Sequence, residues 1–181
     1  PHASDRVAVV HNGIIENYRE LRAELEAEGA VFETDTDTES VARLCDRELG
    51  RGKTPVEAAR ATLARLRGAF ALCFLFEGED DLLVAARRGS PLAIGYGAGE
   101  MYVGSDALAL APLTHRVAYL DEGDLAVLSR TSAELFDETG APVEREIHAI
   151  PVKNLFTEKG PYKHFMAKEM HEQPSVISDA L

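Results

Sequence analysis

The 181-residue chain contains no tryptophan, and its 19 basic residues are outnumbered by 31 acidic ones. The net charge of −12 repels phosphate backbones and anionic lipid, so neither nucleic acid nor a membrane surface is an expected partner. The longest strongly apolar run, Ala69 to Phe76, is far shorter than the roughly 20 residues that span a bilayer. No basic and then apolar leader opens the sequence, so a cytoplasmic protein is expected.

Cysteine is also scarce. Cys45 and Cys73 are the two cysteines, and both lie in apolar patterns without CxxC spacing, so we expect reduced core thiols and neither a disulfide nor a zinc site. The acidic stretch Asp35–Glu39 begins like a calcium-binding loop, but the sixth position, which requires glycine in that loop, is Ser40. Neither the cysteines nor this acidic stretch therefore predicts a metal site.

Hydrophobic residues make up 45% of the chain, which is enough for one good core. We expect one domain over residues 1–150 and a tail over residues 151–181. The start of that tail, Pro151 to Lys163, has the glycine and prolines of a linker.

Three helices are predicted in the first part of the chain. Residues Asn17–Glu28 carry apolar side chains at helical spacing and are followed by Gly29, a typical C-terminal glycine. A second helix is predicted from about Thr38 to Leu49. The segment Thr54–Glu57 is a capping box with proline at the first helical position, so a third helix begins there.

Beyond the third helix the pattern changes to short strands separated by glycine, aspartate and proline turns. A late hairpin is predicted with strands Glu134–Phe136 and Val143–Ile147 around the turn Glu138–Gly140. Helices in one stretch and strands in another indicate an α+β fold, not alternating βαβ units. The other predicted strands are Gly68–Phe76, Leu82–Ala86, Leu92–Tyr96, Met101–Val103, Val117–Leu120 and Leu125–Leu128.

A candidate active-site turn follows the first apolar run. Val7–Val10 leads directly into His11–Asn17, so a buried strand would deliver a polar, glycine-containing turn. Asn12 and Gly13 offer a side-chain amide next to an unhindered backbone N–H, which is the pair of donors that an oxyanion needs. The alternative is a simple tight turn, since Asn-Gly is a common hairpin dipeptide. His11 is expected to support the turn and not to act as a base.

Two other polar segments have structural explanations. Ser105 could be a nucleophile, but Asp106 precedes the apolar run Ala107–Leu110 as a helix cap would, and we favour the cap. The glycines of Gly95–Gly99 do not have GxGxxG spacing, and a strand follows them, so a hairpin turn is predicted there instead of a nucleotide site.

The polar segments also carry a family resemblance. HNGIIEN at residues 11–17 together with TDTDTE at residues 34–39 resembles the class II glutamine amidotransferase domain. The segment Lys159–Pro174 resembles the one that leads from that domain into the sugar-isomerase half of glucosamine-6-phosphate synthases. The resemblance covers essentially the whole chain, including Arg88–Leu92, Gly104–Asp106 and Asp121–Asp124.

This resemblance implies a fold and site roles. The fold would be an Ntn-hydrolase four-layer αββα sandwich. Asn12 and Gly13 match the family's oxyanion hole, and Asp37 matches the acidic residue that holds the α-ammonium group of glutamine. The alternative for Asp37 is a capping residue of the second helix, a role compatible with the first.

The resemblance further implies an N-terminal cysteine nucleophile, whereas this chain begins Pro1-His2. The family's leading strands, with that cysteine and a carboxylate-binding arginine, would precede Pro1. We therefore expect a fragment that is incomplete at its N-terminus, without glutaminase activity on its own. Because the absent strands would leave open sheet edges, we also expect marginal stability or self-association.

For the parent protein, the resemblance implies an enzyme that takes ammonia from glutamine and passes it to fructose 6-phosphate, held by a sugar-isomerase domain beyond residue 181. Its products would be glucosamine 6-phosphate and glutamate, no metal or organic cofactor is implied, and it would be a homodimer. Two alternatives stay open: another class II amidotransferase, such as the phosphoribosylpyrophosphate or asparagine-synthesising enzymes, and a non-catalytic glutamine-binding module.

Overall fold

The computed structural model describes residues 1–150 and 159–180. It divides the chain into two compact units, Pro1–Pro151 and Val152–Leu181. The first unit holds four helices and all the described strands. The strands are β1 (His2–Ala3), β2 (Val7–Ile15), β3 (Gly68–Phe76), β4 (Leu83–Arg88), β5 (Ala93–Tyr96), β6 (Met101–Gly104), β7 (Arg116–Tyr119), β8 (Leu125–Leu128), β9 (Ala133–Phe136), β10 (Pro142–Val143) and β11 (Ile147–Ala149); the helices are α1 (Tyr18–Ala27), α2 (Asp37–Gly50), α3 (Pro55–Leu63) and α4 (Ala107–Leu110).

Local sequence signals explain the helix ends. Helix α1 ends just before Gly29, whose φ of +97° is a conformation that glycine adopts at little cost. Helix α3 begins with the predicted capping box: the Thr54 hydroxyl accepts from the Glu57 N–H, and the Glu57 carboxylate accepts from the Thr54 N–H. The one-turn α4 is capped by Asp106, whose carboxylate accepts from the Ala109 N–H at 2.9 Å, as predicted.

The strands form two antiparallel sheets. The larger has seven strands in the order β1-β2-β3-β4-β8-β9-β10, and the smaller has four in the order β11-β7-β5-β6. The predicted turn at Gly95–Gly99 connects β5 to β6, where the Gly97 N–H donates to the Glu100 carbonyl.

Three hydrophobic clusters define four layers. One face of the seven-stranded sheet packs against α1, α2 and α3 through side chains such as Val9, Phe74 and Leu44. Its other face packs against the four-stranded sheet in a cluster that includes Ala85 and Ile94. On the far side of the smaller sheet, α4 supplies a third cluster. The order helices, sheet, sheet, helix confirms the predicted α+β sandwich.

Two predicted elements were wrong. The expected turn at Asn12-Gly13 is part of β2, which continues to Ile15 because each of its residues has a partner in β3. The expected strand Val143–Ile147 is split, since β10 ends at Val143 on the larger sheet and β11 begins at Ile147 on the smaller one. The chain changes sheets between these two strands, and alternation of apolar residues does not reveal such a crossing.

The second unit contains α5 (Phe165–Ala180), a helix with Pro174 in its interior. The predicted linker begins in residues 151–158, which lie outside the described residues. Among the helices of the described ranges, none has the length and hydrophobicity to cross a membrane.

Candidate active site

Gly13 occupies a position in β2 that only glycine fits. Its φ is +124°, a conformation that L side chains rarely adopt. A Cβ at this position would lie 2.1 Å from the carbonyl oxygen of Ala69 on β3. The close approach of the two strands and the backbone conformation therefore both require glycine.

The N–H of Gly13 faces the side of β2 away from β3. Two hydrogen bonds lie at the ends of the β2–β3 pairing: the Glu77 N–H donates to the Arg6 carbonyl, and the Glu16 N–H donates to the Arg67 carbonyl. With the observed register, they place the hydrogen-bonded pairs at the even-numbered residues of β2. Gly13 therefore belongs to a non-hydrogen-bonded pair, whose N–H points away from the partner strand. The neighbour on that side, β1, has two residues and pairs near the other end of β2.

Asn12 is held by a residue that directly follows a strand of the other sheet. Its Nδ2 donates to Ser105 Oγ at 3.0 Å, across 93 residues of sequence. Asn12, Ser105 and Cys73 supply polar groups to a cavity of about 200 Å³ that is otherwise lined mainly by apolar side chains. The sequence predicted Asp106 as a helix cap, but no pattern in it indicated that Ser105 would contact Asn12.

Asp37 also reaches β2, from the start of α2. It is the first helical residue, and Thr36 occupies the capping position in an extended conformation. The alternative explanation, that Asp37 caps α2, was therefore wrong. The Asp37 carboxylate turns to the strand instead, where Oδ2 accepts from the Ile15 N–H at 2.8 Å. The side chain remains 23% exposed, so a ligand can reach it.

His11 lies beside Asp37 on the helix-facing side of β2. Its Nδ1 is 3.0 Å from Thr38 Oγ1 and 3.8 Å from Asp37 Oδ1. The imidazole is 3% exposed. Burial lowers the His11 pKa and the Asp37 charge opposes this only in part, so the ring is neutral at pH 7.

Glu39 organises the loop that precedes α2, a role that the sequence analysis missed. Its carboxylate accepts from the N–H groups of Glu33 and Thr34, at 2.9 and 2.8 Å, and from the Thr34 hydroxyl at 2.6 Å. Burial opposes ionisation, but these hydrogen bonds outweigh it and lower the pKa of Glu39 to about 2. Acidic residues at loop–helix junctions are common, so only the contacts distinguish this one.

The structure thus brings the three predicted residues to one end of β2. Asn12 and Gly13 are neighbours there, and Asp37 is tied to the strand two residues beyond Gly13. Alternation along the strand places the Asn12 side chain on the face towards the smaller sheet and His11 on the face towards the helices. Gly13, which has no side chain, separates the amide donor from the carboxylate.

Neither cysteine has the properties of an activated nucleophile. Burial raises the pKa of both Cys45 and Cys73 to about 12, so the reactive thiolate is scarce at neutral pH. Within residues 1–150 and 159–180, no group of three or more His, Cys, Asp or Glu side chains could hold a metal ion. The site supplies hydrogen-bond donors and one carboxylate.

Curated relatives match along all or nearly all of the chain. Proteins named glutamine–fructose-6-phosphate aminotransferase [isomerizing] from Brucella abortus and Bradyrhizobium diazoefficiens are each 59% identical over all 181 residues, and the Caulobacter vibrioides protein of that name is 55% identical over 174 residues. The chain spans about 30% of the length of these relatives.

Solved structures agree on the fold. Glutamine phosphoribosylpyrophosphate amidotransferase from B. subtilis superposes with a TM-score of 0.63 and 27% identity, covering 73% of this chain and 29% of that one. A structure described as the allosteric regulatory enzyme of purine biosynthesis superposes with a TM-score of 0.62 and 25% identity, covering 75% of this chain and 29% of that one. These neighbours confirm the Ntn-type sandwich. A family model described as "Glutamine amidotransferase domain" matches residues 1–112. The chain therefore belongs to the class II glutamine amidotransferase domain family.

Proposed function

We propose that this chain is the glutamine-hydrolysing part of an enzyme that transfers the amide nitrogen of glutamine to fructose 6-phosphate, yielding glucosamine 6-phosphate and glutamate. The identity of 59% to relatives whose names give that activity supports the proposal. Residues 1–150 would hydrolyse glutamine, and residues 151–181 would lead to the domain that binds the sugar phosphate.

Asn12 and Gly13 are proposed as the oxyanion hole. Attack on the glutamine amide creates a tetrahedral oxyanion, and preorganised donors stabilise it more than they stabilise the substrate. The Gly13 N–H faces away from β3, and Ser105 engages one N–H of the Asn12 amide, which leaves its second N–H for a ligand. Both donors come from adjacent residues of one strand, so they lie close together.

Asp37 is proposed to hold the α-ammonium group of glutamine, and the observation that carries the assignment is its bond to the Ile15 N–H at 2.8 Å. That bond ties a carboxylate from another element to the strand that bears Asn12 and Gly13. Because the bond uses Oδ2, the second oxygen, Oδ1, is available for a cation. The neutral His11 beside it leaves the negative charge uncompensated.

The remaining assignments follow from the resemblance and the composition. The nucleophile would be an N-terminal cysteine, since the raised pKa values of Cys45 and Cys73 suit neither to the role. Residues 1–181 alone would then release no glutamate from glutamine. The enzyme would be cytoplasmic and homodimeric, without a cofactor and without nucleic-acid or membrane partners.

Other class II amidotransferases are the alternative, because the structural neighbours include a phosphoribosylpyrophosphate enzyme. That neighbour is 27% identical, whereas the aminotransferases reach 59%, so we favour the sugar-phosphate acceptor. A non-catalytic glutamine-binding module would retain affinity for glutamine but release no glutamate, so an activity assay distinguishes it.

The oxyanion role is tested by Asn12→Ala in the full-length protein. Losing one oxyanion donor typically lowers kcat by about 10²–10³-fold, and we expect the KM for glutamine to change by less than about threefold. Glutamate release measures both constants. Asn17→Ala is the matched control, since Asn17 lies just before α1 and its amide group bonds the backbone of Arg65 and Arg67. A large rise in KM with unchanged kcat would refute the oxyanion role.

The ammonium role is tested by Asp37→Asn. A hydrogen bond to a charged group is worth about 1.5–3 kcal/mol, so the KM for glutamine should rise by about 10–100-fold with little change in kcat. Asp35→Asn is the control, because the Asp35 side chain is fully exposed and pairs with Arg22, at 3.4 Å, and not with β2. An unchanged KM in Asp37→Asn would leave this carboxylate with a structural role alone.

A further inference from the structure

We propose that His11 and Thr38 are positioning residues that fix the Asp37 carboxylate for the ligand's ammonium group, an inference that rests on the proposed role of Asp37. The three side chains form a hydrogen-bonded chain from the imidazole through the threonine hydroxyl to the carboxylate.

The two oxygens of Asp37 have different partners. Oδ2 accepts from the Ile15 N–H at 2.8 Å, a bond that fixes where the carboxylate lies. Oδ1 is the oxygen left for a ligand, and its surroundings are Thr38 Oγ1 at 3.4 Å and His11 Nδ1 at 3.8 Å. These two groups therefore determine how Oδ1 is presented.

Hydrogen-bonding capacity sets the direction of the chain. A carboxylate only accepts, so the Thr38 hydroxyl donates its single proton to Asp37 Oδ1. The hydroxyl oxygen must then accept from His11 Nδ1, 3.0 Å away, which places the imidazole proton on Nδ1. A side chain without a donor at position 11 would leave the hydroxyl free to turn away from Asp37.

A histidine at this buried position lowers the stability of the fold. Its Nε2 is buried and has no hydrogen-bond partner among the described residues. A buried polar atom left unpaired costs about 1–3 kcal/mol, a cost that an apolar side chain would avoid. The only hydrogen bond of the ring within the described part of the chain is to Thr38, so what the ring contributes there is the orientation of the site.

A neutral partner also suits the ligand. A protonated imidazole 3.8 Å from Oδ1 would form an ion pair with Asp37 and compete with an incoming ammonium group. Burial lowers the His11 pKa and so keeps the ring neutral. The chain thus orients the carboxylate and preserves its charge.

The test compares variants of the full-length protein by their glutamine kinetics. Thr38→Val keeps the shape but removes the hydroxyl, and His11→Leu removes the donor; each should raise the KM for glutamine about tenfold and change kcat by less than about threefold. Thr38→Ser and His11→Asn, which keep a donor, should restore KM to within about threefold of the parent. Thr36→Val is the matched control, because the hydroxyl of Thr36 contacts Thr34 and His2 instead.

Several results would overturn the inference. An unchanged KM in Thr38→Val would do so, and so would a fall in kcat as large as the rise in KM. A ¹⁵N spectrum that places the His11 proton on Nε2 would also overturn it. If Asp37→Asn raises KM but Thr38→Val and His11→Leu do not, this inference alone fails. If Asp37→Asn leaves KM unchanged, the proposed ammonium site fails as well. A role in stability alone would lower Tm in His11→Leu without changing the KM of the folded protein.

Discussion

Replacing Glu39 by glutamine should destabilise the domain in a pH-dependent way. The carboxylate is 3% exposed and accepts three hydrogen bonds from residues 33 and 34, immediately before the helix that carries Asp37. Glutamine has nearly the same shape, but its amide group presents N–H donors to the donors of this loop. The change therefore removes the charge and disturbs the loop without leaving a cavity.

The size of the effect follows from the pKa. The bonds to Glu39 lower its pKa from the ordinary 4.5 to about 2, and one pKa unit corresponds to about 1.4 kcal/mol, so ionised Glu39 contributes about 3 kcal/mol. Because the folded-state pKa is the lower one, this contribution is complete above about pH 4.5 and disappears as the pH falls through about 2.

Urea unfolding of the parent and of Glu39→Gln at several pH values measures this directly. The difference in unfolding free energy should be about 3 kcal/mol at pH 7 and roughly half of that at pH 3. Glu33→Gln is the matched control, since the Glu33 side chain is 82% exposed and should contribute less than about 0.5 kcal/mol. A difference below about 1 kcal/mol at pH 7, or one that stays constant with pH, would refute the reasoning.

Three further changes have defined outcomes. Gly13→Ala would force a Cβ to 2.1 Å from a β3 carbonyl at a φ of +124°, so the urea midpoint should fall by the equivalent of at least about 2 kcal/mol; an unchanged midpoint would contradict this. Ser105→Ala frees the Asn12 amide, so kcat for glutamate release should fall about tenfold at constant KM, and a change in KM alone would count against the contact. Arg145→Leu leaves the fully buried Asp124 carboxylate without its bidentate partner, at 2.7 and 2.8 Å, and should cost about 3 kcal/mol in urea unfolding, more than Arg145→Lys; equal losses would show that the bidentate geometry is unimportant.

The helices and most strands could be predicted because their signals are local. The capping box Thr54–Glu57 contains both partners of its hydrogen bonds within four residues, and Gly29 supplies its own backbone conformation. The strand Gly68–Phe76 has the predicted bounds because a continuous apolar run between turn residues has few alternatives. Such elements are decided by neighbours in the chain.

The path of the chain around the site was harder to predict from the sequence. Asn12-Gly13 has the composition of a turn, but it pairs with Ala71 and Phe70 of β3, and this pairing keeps it in the strand. Asp37 has the composition of a cap, and the Ile15 N–H draws its carboxylate away from its own helix. In both cases a tertiary hydrogen bond outweighs a local preference.

The sequence by itself determined that the chain is an α+β protein of the class II amidotransferase family and that Asn12, Gly13 and Asp37 are its candidate site residues. Only the tertiary structure decided what surrounds them: Ser105 beside Asn12, His11 and Thr38 beside Asp37. The physical reason is that turn and helix propensities act over a few residues, whereas the orientation of a buried amide or carboxylate depends on donors and acceptors that come from distant elements.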